Sequence, residues 1–501
     1  MQAAAGALAE RGVRKGDRIL LHARNSNAVL ETMWATWMLG AVWVPTNFRL
    51  TPPEVACLAQ SSGASVHIFD AAFPDHAAAA NAANPGAQIV MVGEGPPSTT
   101  SSALQSKDMD GGPSPTMTAG TAGDLSWETL ATAGPCMQRA ADVDRDDPAW
   151  FFYTSGTTGR PKAGVLTHGQ LEYVVTNHLC DLMPATTEHD VSLVVAPLSH
   201  GAGIHALTQV ARGAATVLLY GERLDCEDAW QLVERHRVTN MFTVPTILTM
   251  LTRHDAVDRH DHASLRYVIY AGSPMYRADQ QHALRKLRKV LVQYFGLGEV
   301  TGNITVLPPH LHSVDDDMPV GSCGYPRTGM EITILDVAGH HLAPGETGEI
   351  CVRGPGVFAG YHNNPEATEQ ATRFGWFHTG DLGHIDDRGF VYITGRASDM
   401  YISGGSNVYP REIEEALLTH PAVVEACVVG VPDERWGESG AAVLVLAQDA
   451  AVTEAELLAQ LDGRLAKYKW PTRFVFWPEL PKSGYGKVAK REVKRLLEET
   501  G

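Results

Sequence analysis

The chain has 501 residues, 44% hydrophobic and 19% charged, with 7 cysteines and a formal charge of −17. That length exceeds a single core and predicts about three domain-sized units, with the composition of a globular enzyme rather than a disordered chain. The acidic balance argues against a nucleic-acid or anionic-membrane binder, and no apolar run reaches the ~20 residues of a spanning helix.

Residues 1–8 lack a basic leader region and read as part of a helix. The cysteines are scattered without C-x-x-C spacing, which fits reduced thiols in the cytoplasm. Short β-branched runs recur between helical patterns at 18–23, 42–45, 66–69, 192–196, 216–220, 241–244, 267–270 and 290–293. Strands alternating with helices predict βαβ units and parallel sheets. Residues 71–141 are rich in Ala, Gly, Pro, Ser and Thr and read as surface loop, apart from a strand at 89–92. From 331 the runs shorten (331–335, 348–353, 390–394), predicting an antiparallel or barrel-like portion. A polar segment at 396–399 marks a domain boundary. Beyond it, strands at 423–429, 441–446 and 473–476 alternate with helices.

The chemistry-bearing motifs begin after the apolar run 150–153. Thr154-Ser155-Gly156-Thr157-Thr158-Gly159-Arg160-Pro161-Lys162 alternates hydroxyls, glycines and cations with little bulk, ahead of a helical pattern starting near His168. Glycines let backbone N–H groups gather into an anion nest, so the segment reads as a phosphate loop, though not a Walker A motif. A Gly/Thr surface turn is the bland alternative for any shorter match. His200 ends a strand among small residues, where it suits the wall of a binding site; a capping or core histidine is the plainer reading. His205, His310, His312, His340 and His341 lack the partners of a zinc pattern and read as surface or loop residues. In 293–299, Phe295 can stack on a purine and Glu299 can offer hard oxygens to Mg²⁺, against a core aromatic and a solvated acid. Asp381 can accept from vicinal ribose hydroxyls, or simply close a Thr-Gly-Asp turn. Gly404-Gly405 can bring backbone against a threaded ligand, and a helix opens at Pro410. Lys487 lies in a basic terminal stretch that charge alone would leave as a solvated tail.

Taken in order, these motifs resemble the adenylate-forming superfamily of acyl-CoA synthetases, peptide-synthetase adenylation domains and firefly-type luciferases. The resemblance runs essentially end to end, from 12–18 to Lys487. It implies an α/β fold: a large N-terminal domain of doubly wound sheets plus a barrel-like portion (1–395), a hinge (396–399), and a small mobile α+β C-terminal domain (400–501). It implies ATP, Mg²⁺ and coenzyme A. On that resemblance Thr154, Ser155, Gly156, Thr157, Thr158, Gly159 and Lys162 hold phosphates, and Gly272, Ser273, Phe295 and Gly296 border the adenine. Asp381 and Arg396 hold the ribose, Gly404 and Gly405 line the pantetheine path, and Glu299 holds Mg²⁺. His200 lines the carboxylate end of the acyl tunnel, and Lys487 is the catalytic lysine.

The chain departs from the family pattern at four places. Phe295 stands for Tyr, Ser398 for Asp or Lys, and Gly298 for a Thr that offers its hydroxyl to the α-phosphate; either another donor such as Thr301 or Thr305 replaces it, or nucleotide affinity is lower. Family members also carry a strand-and-helix segment upstream of the helix in which this chain opens. The expected activity is an ATP-dependent acid–CoA ligase forming an acyl-adenylate and then a thioester. Small residues at 201–203 and the apolar run 241–251 favour a medium or long fatty acid, or an aryl or ring-bearing acid. One rival is a stand-alone adenylation enzyme loading a carrier protein. For amino acids, the absence of an acidic residue in 199–205 speaks against it. A weakened nucleotide-binding relative is the other. A homodimer stays open.

Overall fold

The computed structural model describes residues 1–93, 125–154, 161–219, 221, 223–273, 275–315, 321–482 and 488–499. The chain divides into two units, Met1–Phe151 and Phe152–Gly501. The first carries strands β1 (Arg18–His22), β2 (Val42–Pro45), β3 (Val66–Asp70), β4 (Gln88–Val92) and β5 (Leu125–Ser126), and β6 (Pro148–Thr154) begins in it. Their order is β5-β4-β3-β1-β2-β6, with parallel neighbours throughout. Strands buried on both faces read as continuous apolar runs, which is why β1 and β2 were legible. Ile19, Leu20, Trp43 and Val44 are wholly buried, and Trp43 meets Trp150 edge-on at 4.6 Å. The helix Pro52–Ser62 shows how punctuation sets the elements: Thr51 and Glu54 form a capping box, and Gly63 closes the helix in the left-handed region.

The loop reading of 71–141 is corrected in part. Helices Pro74–Ala83 and Trp127–Ala133 and the short β5 lie within it. The first is an alanine helix seated through Ala77 and Ala80, so composition favoured helix while offering no apolar stripe to detect. Residues 94–124 lie outside the described residues.

The second unit adds β7 (Lys162–Thr167), β8 (Val191–Val194), β9 (Ala215–Leu218), β10 (Asn240–Thr243), β11 (Tyr267–Tyr270), β12 (Leu291–Phe295), β13 (Thr305–Leu307) and β14 (Ser322–Pro326). It continues with β15 (Glu331–Leu335), β16 (Gly348–Arg353), β17 (Phe377–Ile385) and β18 (Val391–Arg396). One sheet runs β15-β16-β17-β18-β14-β13-β12-β11-β10-β8-β9. Its β9-to-β12 half is parallel and packs helices over a core that includes Trp230, Leu248, Val268 and Leu291. From β12 onward the pairing turns antiparallel, earlier than the shorter runs from 331 predicted.

Past residue 400 the chain builds a separate five-stranded sheet. It comprises β19 (Tyr401–Ser403), β20 (Ser406–Val408), β21 (Val423–Asp433), β22 (Gly437–Leu446) and β23 (Arg473–Phe476). Alternation along β22 sends Ala442 and Leu444 to a core with Ile413, Leu417 and Leu457. Ala441, Val443 and Val445 go to the opposite core, with Val493 and Leu497. Among the described residues no helix is long and apolar enough to cross a membrane.

Candidate active site

Strand β12 ends at Phe295, and the chain then turns so tightly that a Cβ on Gly296 would lie 2.3 Å from the carbonyl carbon of Gly302. Only bare backbone fits there. Leu297 accepts from both Val300 and Gly302 amides, and Glu299 sits in the single short helical turn between them. That turn faces β6 and β7. Glu299, 5% exposed, accepts at Oε1 from the Thr154 hydroxyl (2.9 Å) and from the Tyr361 hydroxyl (3.0 Å). Its own backbone carbonyl accepts from the Phe358 amide at 2.7 Å. Burial, aided by the Glu299 charge, pushes the Tyr361 hydroxyl well up, so it stays protonated and donating. Lys162 at the start of β7 lies 5.3 Å from the Tyr361 ring centre. No ion pair to Glu299 occurs among the described residues. A buried carboxylate with one oxygen fixed by two hydroxyls and no described counter-cation fits a hard divalent cation.

His200 stands at the N-cap position of the helix Gly201–Arg212 without a side-chain capping bond; its Nδ1 meets Ser199 Oγ at 3.1 Å, and its ring stands edge-on to Phe152 at 5.0 Å. Gly272 follows β11 with φ +88° and is exposed, while Ser273 beside it is half-buried. Phe295 is half-buried at the end of β12, and its amide donates to Thr305 Oγ1 at 3.3 Å. Thr301 and Thr305, the candidates to replace the hydroxyl missing at 298, both direct their hydroxyls to backbone carbonyls. Thr301 Oγ1 donates to the Val300 carbonyl and Thr305 Oγ1 to the Cys323 carbonyl, and both are buried.

Two further groups of expected residues assemble apart from Glu299. Asp381 and Arg396 are register partners on β17 and β18, and Arg396 Nε lies 2.8 Å from Asp381 Oδ1. Gly404 and Gly405 form the β19–β20 turn, both with positive φ. The Gly404 amide donates to the Trp436 carbonyl, and a Cβ on Gly404 would strike the Trp436 ring at 2.8 Å. No hydrogen bond or ion pair among the described residues joins either group to Glu299. Ser155, Gly156, Thr157, Thr158, Gly159 and Lys487 lie outside the described residues.

Sequence reasoning missed Tyr361, Phe152 and Trp436. A tyrosine after glycine carries no signal of its own, and only the fold brings it to Glu299. The histidine readings divide. His310, His340 and His341 are exposed as expected. His205 is instead buried, with Nε2 on Asn240 Oδ1 at 2.9 Å, and burial pushes it down to about 4. His312 is buried between Tyr270 and the Pro308 carbonyl. Glu349, Cys351 and His378 converge, but the Arg373 guanidinium lies 3.2 Å from His378 Nδ1 and already supplies the cation there.

Parallel strands ending in a glycine-bounded turn, a buried carboxylate fixed by two hydroxyls, and a separate terminal sheet define a nucleotide-using α/β enzyme. The chain belongs to the AMP-binding enzyme family, matching it over residues 1–362, with the AMP-binding enzyme C-terminal domain matched over 412–487. It is 37% identical over 494 residues to a feruloyl-CoA synthase of an Amycolatopsis species, covering 98% of this chain and 91% of the relative. It is 32% identical to an indoleacetate–CoA ligase of Aromatoleum aromaticum with the same coverage. Among solved structures, ATP-bound MatB from Rhodopseudomonas palustris superposes with a TM-score of 0.85 at 29% identity, covering 100% of this chain and 92% of that one. The o-succinylbenzoate CoA synthetase of Bacillus subtilis, holding its acyl-adenylate, superposes with a TM-score of 0.81 at 30% identity, covering 98% of this chain and 91% of that one.

Proposed function

We propose that this chain activates a ring-bearing carboxylic acid as its adenylate and passes the acyl group to coenzyme A. The class itself is plain: it is an AMP-forming acid–CoA ligase that uses ATP, Mg²⁺ and coenzyme A. The observation that carries the reading is the buried Glu299 carboxylate, held by Tyr361 and by Thr154 at the end of β6. Support for the ring comes from feruloyl and indoleacetate, the acyl groups named for two relatives, and from the Phe152–His200 aromatic pair.

Glu299 would hold Mg²⁺, which supplies charge neutralisation at the phosphates. The residues of this chain do the rest. Thr154 and Tyr361 fix Oε1, so that the second oxygen of Glu299 is aimed without reorganisation. Lys162 and the loop donors bind phosphate, and Asp381 with Arg396 holds the ribose. Lys487 aligns the carboxylate against the α-phosphorus, and His200 bounds the acid. The segment 396–399 then turns, withdrawing Lys487 and bringing the Gly404-Gly405 turn, with Trp436 (43% exposed) beside it, to the thiol's path.

The test is AMP release from Mg·ATP across aryl, polycyclic and aliphatic acids, each with and without coenzyme A. Release that needs both an acid and coenzyme A, and collapses in Lys487→Ala, supports the ligase. A second reading is favoured by one relative, a fatty acid–[acyl-carrier-protein] ligase of Streptomyces coeruleorubidus at 32% identity. Pyrophosphate exchange without coenzyme A turnover would replace the thiol by a carrier protein. Nucleotide binding without either reaction would leave only a weakened relative.

A further inference from the structure

Residue 298 is glycine for reasons of space and not of conformation. Its φ lies outside the left-handed region, so the backbone would accept any residue. A side chain is what cannot fit: a Cβ at 298 would lie 2.4 Å from Cδ1 and 2.5 Å from Cε1 of Phe152, and 3.2 Å from Thr154 Cγ2. Alternation along β6 puts Phe152 and Thr154 on one face of the strand, two residues apart. Thr154 is the residue that holds Glu299. The Phe152 ring therefore touches the Glu299 turn on one side, and on the other meets His200 edge-on at 5.0 Å and 70°. Buried aromatic packing continues beyond His200. A Cβ on Gly201 would lie 2.6 Å from Phe242 Cζ, and Phe242 stacks on Tyr294 at 6.1 Å.

We infer that Phe152 and Gly298 are a matched pair, and that the Phe152 ring is a specificity-determining wall that favours planar aromatic carboxylic acids over aliphatic ones. This rests on the ligase reading above. An acid reaching the phosphate beside Glu299 while bounded by His200 must pass this ring. A side chain at 298 would displace the ring, whereas glycine lets it seat against the Glu299 turn and hold its position as the wall. Aromatic edges and faces reward a planar ring with specific contacts. A flexible alkyl chain gains area alone and must also surrender rotamer freedom.

The pairing is read by thermal unfolding of Gly298→Ala, Phe152→Ala and the double variant. Gly298→Ala is expected to lower Tm in the parent and to cost little once Phe152 is Ala; additive losses would overturn the pair. Selectivity is read from kcat/KM for cinnamic acid against nonanoic acid. Phe152→Ala is expected to cut the preference for the aromatic acid by roughly tenfold or more, chiefly through KM. Phe152→Leu, which keeps apolar bulk without a ring, should lose the same preference while holding its Tm. An unchanged ratio in both variants would overturn the wall. If the parent releases no AMP with any acid, the ligase reading falls and selectivity falls with it, while the thermal cycle still decides the pair.

Discussion

Tyr361 and Thr154 donate to the same oxygen of Glu299, and that redundancy makes each separately measurable. Removing one leaves a buried carboxylate oxygen with a single donor. Hydrogen bonds to charged groups are worth about 1.5–3 kcal/mol, so Tyr361→Phe is expected to lower kcat/KM by roughly 10- to 100-fold. If Glu299 holds Mg²⁺ as proposed, a Mg²⁺ titration at fixed ATP should show half-saturation shifted upward, because the loosened carboxylate would no longer hold one oxygen toward the cation. Thr154→Ser keeps the hydroxyl and should remain near the parent, whereas Thr154→Val should resemble Tyr361→Phe. An unchanged Mg²⁺ titration in both would confine the two hydroxyls to packing.

At the scale of strands, β1 and β3 each carry a histidine into the middle of a parallel sheet. His22 and His67 are wholly buried; burial pushes His67 down to about 4, and burial with the nearby His76 pushes His22 to about 3. Both rings are neutral in the fold, whereas an unfolded histidine protonates near 6.5. Their contribution to stability is present above about 6.5 and is lost as pH falls from there through the folded values. For His67 the loss is roughly 3 kcal/mol by linkage. Urea midpoints measured from pH 7 down to 4.5 should fall steeply in the parent and less so in His67→Phe; parallel curves would rule the ring out. These strands were legible because buried parallel strands leave unbroken β-branched runs. The observed β2, β11, β15, β16 and β23 have the expected bounds. The helix Pro74–Ala83 was not, since alanine seats a helix without leaving a period. In the site, Thr154 and Glu299 were legible from short motifs. Tyr361 and Phe152 were not, because their meaning lies in pairings across chain separations (62 residues from Tyr361 to Glu299) that only the folded sheets bring together.

For the molecule as a whole, the consequential residue is Arg396. It ends β18, pairs with Asp381, and stands directly before 397–399, where the Ala397 amide still donates to Gly380 at 3.0 Å and the Asp399 amide to Arg396. Under the proposed reading, an arriving ribose competes for the carboxylate that Arg396 now grips. Nucleotide binding then works as a clutch: filling the site slackens the last rung of the ladder from which the terminal sheet hangs. Amide exchange at Ala397 and Asp399 should therefore quicken when AMP is added, and Asp381→Asn should show the quickened rate with no nucleotide at all. If exchange stays flat, occupancy and release of the terminal sheet are separate events. If it quickens, the enzyme keeps time between its two half-reactions with one guanidinium.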